Sequence, residues 1–224
     1  MTPSEFVKLC PTLWHVGAVG SWDTIRMHGF LTAQQIIDRA AIGAERRLEL
    51  TTSIRRDPVE LQVEGHNLTL RDQAPLLQKK DLESILEEGM TTADWIQLLN
   101  ARVYFFSQLV DMVKLRDKYA ATEGAVEVIT VSPLRLAKAA GPNLELASQN
   151  TGAIARRTDR YKTWETFTPL ASFPAIPPRE VTVRGSVSDL DVVSSATRWY
   201  PDGRTERLSL LPTTQLSAKL PAKG

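Results

Sequence analysis

The sequence predicts a mixed α+β fold in one domain, with about six to eight short strands and several short helices between them. Short apolar or alternating runs typical of strands recur along the whole chain. Between them lie amphipathic stretches that begin at Ser, Thr or Asp and end at Gly or Pro, as helices do. The 224 residues contain no internal repeat and no convincing boundary. We therefore expect a single domain over residues 1–224, with its core at about 10–210 and a frayed C-terminal tail.

The N-terminal segment predicts two capped helices around a strand. Thr2 or Ser4 can cap a short helix over PSEFVKLC, and residues 12–16 form an apolar strand that contains a histidine. Ser21 can cap a second helix, WDTIRMH, because its hydroxyl accepts from the first free N–H groups. Gly29 is a natural stop for that helix, since glycine readily adopts the left-handed conformation found there.

The next segment predicts further short helices and one strand. Thr32 can cap a helix over AQQIIDRAAI. Residues 44–65 are polar and rich in arginine and glutamate, and we expect a loop or a marginal element there. HNLTLRDQAPL begins as a strand and leaves it at Arg71. Asp81 can cap DLESILEEG, and TTADWIQLLN repeats the same plan with its apolar residues on one face.

The centre of the chain alternates strands and helices. RVYFFS (102–107) is a short apolar strand, followed by the helix QLVDMVKLRDKYA. AVEVITVS (125–132) alternates apolar and polar residues as a strand does. Pro133 opens the helix PLRLAKAAG and Gly141 ends it, which is the usual placement of these two residues. LELASQN predicts another strand.

The C-terminal third predicts a loop, a strand and a hairpin. Residues 151–165 are polar and basic and read as a long surface loop, and such loops are often functional. REVTVRGSV (179–187) is a strand, and SDLDVV is a helical turn after it. In ATRWYPDGRTERLSL the turn residues 201–203, Pro-Asp-Gly, separate two alternating runs, which indicates a hairpin.

Composition limits the class of protein. Hydrophobic residues make up 42% of the chain and charged residues 24%, as in ordinary soluble proteins. The net charge of +1 gives no whole-molecule field for nucleic acid or membrane binding. A single cysteine excludes an internal disulfide and favours a cytoplasmic setting. The N-terminus has no signal-peptide pattern, and no run of 18 apolar residues predicts a membrane span.

Several kinds of site are not supported by the residue spacing. Three histidines and one cysteine lack the spacing of zinc ligands, so we expect no metal. The chain has no P-loop, no GxGxxG segment after a strand and no GxSxG nucleophile elbow.

Three residues remain as candidates, each with a structural alternative. His15 lies inside an apolar strand, where a core histidine bonded to backbone groups is the alternative. Arg71 ends a strand before an irregular segment, where binding residues concentrate, and the alternative is a surface ion pair with Asp72 or Asp81. Glu180 opens a strand and could equally be a solvent-facing edge residue. Glu165 is a rival carboxylate beside the polar loop.

Three segments together resemble ADP-ribosyltransferase-fold proteins. LWHVGAVGSWDTIRMHGFLT resembles their opening, a strand with histidine followed by a short helix and a turn. The pattern recurs in bacterial DNA ADP-ribosylating toxins of the DarT type, in tRNA 2′-phosphotransferases and in PARP-like families. LRDQAPL (70–76) resembles the strand-exit segment of the toxins, and EVTVRGSVSDLDVV (180–193) resembles their last motif.

The order of segments also resembles an uncharacterised bacterial family related to this fold, over about residues 10–195. Members of that family carry LN.RVFFW, NTG, TF.PL and a closing ElTV segment. Here these read LNARVYFF, NTG (150–152), TFTPL (166–170) and EVTVRGSVSDL. The resemblance implies split, mostly antiparallel sheets with short helices around a cleft that holds NAD.

The resemblance implies a role for each residue. Cleavage of the nicotinamide–ribose bond passes through an oxocarbenium-like transition state, as in glycoside hydrolysis. Glu180 would hold a ribose hydroxyl and accept the proton of the acceptor. His15 would bond the adenosine-side ribose through one nitrogen, with the other fixed by the backbone. Arg71 would bind a diphosphate oxygen. Trp22 and Tyr104 could supply ring surfaces, although a core role is the alternative for both.

The basic loop is the expected acceptor-binding element. It combines cations with interleaved aromatic residues, which suits single-stranded DNA or RNA, and a solvated charged loop is the alternative. The acceptor-binding candidates are Arg156, Arg157, Arg160 and Lys162.

These points imply an NAD-dependent ADP-ribosyltransferase that modifies a macromolecule, with nucleic acid ahead of protein. NAD would be its substrate, and no metal or membrane would take part. The resemblance to toxins implies a cognate antitoxin, and we expect a monomer. One alternative is an NAD glycohydrolase or a 2′-phosphotransferase-like enzyme, and the latter would need further phosphate-binding arginines such as Arg102 and Arg156. The other is an inactive module that binds an NAD-like ligand or a partner.

Overall fold

The computed structural model describes residues 1–77, 82–154 and 162–210, and these have the predicted mixed α+β architecture. The α-helices of the described ranges are α1 (Pro3–Leu9), α2 (Ser21–His28), α3 (Ala33–Arg39), α4 (Ala44–Thr52), α5 (Thr92–Asn100), α6 (Leu109–Glu123) and α7 (Pro133–Ala140). The strands are β1 (Leu13–Gly17), β2 (Val59–Val63), β3 (His66–Leu70), β4 (Arg102–Phe106), β5 (Val126–Val131), β6 (Leu144–Ala147), β7 (Thr168–Pro169), β8 (Glu180–Arg184), β9 (Val193–Trp199) and β10 (Thr205–Arg207).

Local capping chemistry sets several of these boundaries, as predicted. The hydroxyls of Thr2 and Thr32 each accept a hydrogen bond from a backbone N–H three residues on. The side chains of Glu5 and Gln35 in turn accept from the backbone N–H of the capping threonine. Ser132 caps α7 in front of Pro133. At α2 the boundary differs from the prediction by one residue, because the cap is Gly20 and Ser21 is the first helical residue.

The polar segment 44–65 is expected to be a loop or a marginal element, and the expectation of a loop is wrong. It forms α4 and β2, and β2 pairs with β3 in a two-stranded hairpin. Glu64 and Gly65 form its turn, both with positive φ angles of 52° and 85°. The segment after Asp81 forms only a short 3-10 helix, Leu82–Ile85. Asp81 itself and the tail beyond residue 210 lie outside the described residues.

Eight strands form one antiparallel sheet in the order β10-β9-β5-β1-β4-β8-β6-β7. The junction between β1 and β4 has the fewest register pairs of this sheet, only Trp14 opposite Phe106. On either side of it, β1 pairs with β5 over five positions and β4 pairs with β8 over five. The expectation of two small sheets is thus corrected to one sheet with two four-stranded halves. We call the β1–β4 junction the seam.

The two faces of the sheet are covered differently. On one face, α1, α2 and α7 pack on a large apolar cluster that includes Leu13, Phe105 and Val181. On the other face, α6 covers β1 and β5 around Met112, while Tyr104 of β4 packs with the cluster around α5. Phe106 of β4 packs with the cluster around Met112, so the border between these two smaller clusters falls on β4, between Tyr104 and Phe106. None of the helices in the described ranges is long and apolar enough to cross a membrane.

Candidate active site

Glu180 is the first residue of β8 and is half-buried. One carboxylate oxygen, Oε2, accepts hydrogen bonds from the Thr151 backbone N–H at 3.1 Å and from its hydroxyl at 2.6 Å. The other oxygen, Oε1, has no hydrogen-bond partner among the described residues. Burial raises the pKa of Glu180, although the bonds from Thr151 and the charge of Lys162 oppose that rise. The side chain is thus fixed through one oxygen and presents the other.

Lys162 is close to this carboxylate and is buried below the protein surface. It is 1% exposed, and its Nζ donates to the carbonyl of Thr151 at 2.9 Å and to that of Asn150 at 3.4 Å. The ammonium group also lies 4.8 Å from the ring centre of Trp95. The predicted role of Lys162 in binding a nucleic-acid acceptor is therefore wrong, because its charge is buried. Arg156, Arg157 and Arg160, the other predicted acceptor-binding residues, lie outside the described residues.

His15 projects into the seam. Its Nδ1 lies 3.0 Å from the carbonyl oxygen of Tyr104 on β4, and because a carbonyl only accepts, Nδ1 carries the hydrogen. Nε2 has no hydrogen-bond partner among the described residues, so in the neutral ring it is a free acceptor. Burial lowers the pKa of His15, which favours the neutral ring, and the nearby charge of Arg71 lowers it further. The backbone therefore fixes one nitrogen, as expected, and the other is available.

Phe30 and Phe105 pack against the imidazole of His15 and against each other. The ring centres lie 5.4 and 6.0 Å from that of His15. Phe30 is placed by its two backbone hydrogen bonds with Val187. This contact requires glycine at position 29. Gly29 has a φ of 74°, and a Cβ added there would lie 2.4 Å from the Val187 carbonyl oxygen. The glycine that ends α2 thus positions an aromatic wall of the seam.

Arg71 follows β3, and its guanidinium group lies over the ring of Tyr119 on α6, 4.1 Å from the ring centre. Its Nη1 pairs with Glu123, also on α6. Its Nε and Nη2 are buried and have no partner among the described residues. These two nitrogens share the edge of the guanidinium group that binds a carboxylate or phosphate with two parallel bonds. Unpaired buried donors cost about 1–3 kcal/mol each, so an anion there would be favourable.

A row of half-buried aromatic residues leads from the seam to Glu180. Trp14 lies opposite Phe106, and Phe106 lies opposite Glu180. Residues directly opposite one another in antiparallel strands project from the same face, so these three side chains share one face. Nothing in the sequence singles out Trp14 or Phe106. Their position relative to Glu180 follows only from the pairing of three strands that are distant in sequence.

The two predicted ring-binding residues have different surroundings. Tyr104 is half-buried near Glu180, and its hydroxyl donates to the Leu99 carbonyl at 3.2 Å. Burial and the charge of Glu180 raise its pKa, so the phenol is neutral. Trp22 is 4% exposed within the large core cluster, and its indole N–H donates to the Ser209 carbonyl at 2.8 Å. Trp22 therefore packs in the core, away from the other candidates.

The segment after His15 is fixed by a buried carboxylate. Glu127 on β5 is 1% exposed and accepts from the backbone N–H groups of Gly20 and Trp22 at 3.0 and 2.7 Å. Arg198 donates to the same carboxylate at 2.8 Å. Glu127 thereby occupies the N-terminus of α2, which is a favourable position for an anion. A ligand phosphate would have to be bound elsewhere, and the open edge of Arg71 is the candidate.

Two further polar features do not belong to the site. Arg102 is paired with Glu145 at 2.8 Å, both about 6% exposed, and lies against the Phe167 ring. It is thus not available as the extra phosphate-binding arginine of a 2′-phosphotransferase. A groove of about 670 Å³ lies between α4, the start of β2 and the start of α5. His15, Arg71 and Glu180 do not line it.

Comparisons with known proteins bear on membership of a family. A search of curated proteins finds no match to the chain. A model described as "Family of unknown function (DUF7002)" matches residues 11–193. That range contains all of β1 through β8 and includes His15, Arg71 and Glu180. Because the match spans well over half of the 224 residues, the chain belongs to this family of unknown function (DUF7002).

Proposed function

We propose that the protein transfers ADP-ribose from NAD to an acceptor. One observation carries the proposal: His15, Arg71 and Glu180 each use part of their hydrogen-bonding capacity to fix the side chain and leave the rest without a partner. The open groups are Nε2 of His15, the Nε–Nη2 edge of Arg71 and Oε1 of Glu180. They offer an acceptor for a hydroxyl, a fork for a phosphate and a base.

The properties of NAD match these groups. It carries ribose hydroxyls that donate to a neutral histidine, a diphosphate that suits a bidentate arginine, and flat rings that pack on aromatic side chains. Trp14 and Phe106 provide half-buried aromatic surface in the row that contains Glu180. His15 packs against Phe105 on one face of the sheet, whereas Glu180 shares the other face with Phe106, so the ligand would have to pass through the seam to reach both. Regular strand spacing separates the two strands that flank β4 by about 10 Å.

Glu180 is the residue we assign to the reaction. The bond between the ribose carbon and the nicotinamide nitrogen breaks, and its electron pair leaves with nicotinamide. A new bond forms from that carbon to a nucleophilic oxygen or nitrogen of the acceptor. The acceptor proton passes to Oε1 of Glu180, which also stabilises positive charge on the ribose. A base needs a pKa near the working pH, and burial moves that of Glu180 in this direction.

The acceptor remains the macromolecule expected from the sequence, with nucleic acid ahead of protein. Of the basic loop that suggested nucleic acid, Lys162 is buried and so contributes no surface charge. The identity of the acceptor is therefore to be determined by experiment. Labelled NAD would be incubated with the full chain and separate RNA, DNA and protein acceptors, and both label transfer and nicotinamide release would be measured.

The decisive variant is Glu180→Gln, which keeps the shape of the side chain. We expect nicotinamide release to fall about 100- to 10,000-fold, the usual contribution of a general base. Glu165→Gln, which changes an exposed carboxylate in the neighbouring segment, should leave the rate unchanged. Wild-type turnover by Glu180→Gln would contradict the assignment. If the wild-type chain releases no nicotinamide and transfers no label but binds ADP-ribose, the protein is a binding module.

A further inference from the structure

Lys162 is a buried cation with no carboxylate in direct contact among the described residues. Its backbone is held on both sides, since its N–H donates to the Ile85 carbonyl at 2.8 Å and its carbonyl accepts from Glu87 at 2.9 Å. Its ammonium group meets two carbonyl oxygens and the face of Trp95. Burying an ammonium group without a paired carboxylate is costly. The fold therefore places this charge at a cost that packing alone does not explain.

The two carbonyl groups connect Lys162 to Glu180. The Asn150 carbonyl, which accepts from Nζ, belongs to the same peptide group as the Thr151 N–H that donates to Glu180 Oε2. A cation at the oxygen of a peptide group polarises it and strengthens hydrogen bonding by its N–H. The second bond of Nζ, to the Thr151 carbonyl, fixes the residue whose hydroxyl also binds Oε2. Lys162 thus acts on Glu180 through both sides of Thr151.

We propose that Lys162 is a positioning residue, which holds Asn150 and Thr151 so that Thr151 anchors Oε2 of Glu180 and leaves Oε1 directed to the ligand as an ionised carboxylate. The inference deepens the proposed function, on which it rests for the reaction that Glu180 serves. Among the described residues, the other ionisable groups around Glu180 are Tyr104 on β4 and the adjacent Arg179, which pairs with Asp111 of α6 at 2.9 Å. Tyr104 is neutral and Arg179 is already paired with Asp111. Of these groups, Lys162 is therefore the cation that acts on Glu180.

The mutual effect of the two charges supports this reading. The charge of Lys162 lowers the pKa of Glu180, and the charge of Glu180 raises that of Lys162. Burial nevertheless lowers the pKa of Lys162 to about 8. The two groups thus stabilise each other's charged forms without touching, with Thr151 between them.

The test measures the titration of Glu180 directly, so that it does not depend on NAD chemistry. In the full chain, carbon-13 NMR of the glutamate carboxyl groups, assigned with Glu180→Gln, would follow Glu180 in wild type and in Lys162→Met. We expect its pKa to be higher in Lys162→Met. The exposed Lys138 on α7 provides the control, and Lys138→Met should leave the Glu180 titration unchanged. An unchanged titration of Glu180 in Lys162→Met would overturn the inference.

A reciprocal measurement covers the case in which Lys162→Met does not fold. Nitrogen-15 NMR of the Lys162 ammonium group would compare wild type with Glu180→Gln, and we expect a lower pKa for Lys162 in the variant. Identical titrations would overturn the inference. Where turnover is present, the acid limb of its pH profile should move to higher pH in Lys162→Met. A shifted Glu180 titration without any NAD turnover would reject the proposed function and leave the positioning role intact.

Discussion

Arg71 and Glu123 form an ion pair that joins the end of β3 to the last residue of α6. The pair uses one terminal nitrogen of the guanidinium group, and the Tyr119 ring supports its flat face. The orientation of Arg71 is therefore set by protein contacts, while its buried Nε and Nη2 have no hydrogen-bond partner among the described residues. An arginine held in this way is organised before a ligand arrives, which reduces the entropy cost of binding.

Arg71→Lys should weaken binding of ADP-ribose, because an ammonium group keeps the charge and loses the two parallel donors. We expect the Kd to rise about 10- to 100-fold, measured by isothermal titration calorimetry. Arg116→Lys is the matched control, since Arg116 likewise lies over an aromatic ring, 4.1 Å from the Trp199 ring centre, and likewise pairs with a carboxylate, that of Asp117. Equal weakening in both variants would show that Arg71 has no specific role in binding.

Glu127→Gln should destabilise the fold. The carboxylate accepts from the start of α2 and from Arg198, and an amide nitrogen in place of one oxygen would face donors. Breaking a buried ion pair typically costs about 3–5 kcal/mol, measurable as a lower free energy of unfolding in urea. Glu206→Gln removes the exposed partner of the same Arg198 and should cost less than about 1 kcal/mol. Similar losses in both variants would contradict the importance of Glu127.

The ionisation of Lys162 should make stability depend on pH in the alkaline range. Its pKa falls from 10.5 to about 8 in the folded chain, so between these values the folded chain has lost a proton that the unfolded chain retains. The free energy of unfolding contributed by this residue therefore rises with pH across that window, by at most about 1.4 kcal/mol per pH unit. Urea unfolding of wild type and Lys162→Met at about pH 7 and pH 10 gives this difference. If the unfolding free energy of wild type does not rise relative to that of Lys162→Met between these two pH values, burial does not lower the pKa of Lys162.

Cys10 should be unreactive in the folded protein. It is fully buried, and burial raises the pKa of its thiol from 9.0 to about 11. Two pKa units reduce the thiolate fraction about 100-fold, and access is blocked as well. Iodoacetamide labelling at about pH 8, followed by mass spectrometry, should modify the chain only after unfolding in urea. Rapid labelling without urea would mean that α1 does not pack on the core as described.

The parts of the fold that the sequence predicts are those with local chemistry. The hydroxyl of Thr32 and the proline after Ser132 mark helix starts whatever the rest of the chain does. Helix α4 has no such mark, because four of its nine residues are charged and it buries only Leu50. It is supported instead by Arg47, which donates to carbonyl groups at the end of α3. Contacts of that kind have no signature in a polar segment, and for this reason it looked like a loop.

The site shows the same limit. His15, Arg71 and Glu180 could be chosen from the sequence because each stands where a strand begins or ends, or carries a polar group inside one. Lys162 was misplaced because it follows three arginines in a polar segment, and nothing local shows that its side chain turns inward below Thr151. Glu127 lies between two valines of a strand, and nothing local shows that its carboxylate is buried, because its partners are 105 to 107 residues away in sequence.

The narrow junction at Trp14 and Phe106 has a mechanical consequence. Most strand pairs of this sheet resist twisting because a ladder of hydrogen bonds joins them, but β1 and β4 are joined by one bridge and the bond from His15 to Tyr104. We therefore expect the two halves of the sheet to be rigid and the junction between them to be flexible. A ligand that contacts His15 in one half of the sheet and Glu180 in the other would make this junction more rigid. Amide hydrogen exchange in β1 and β4 would then slow when the ligand binds.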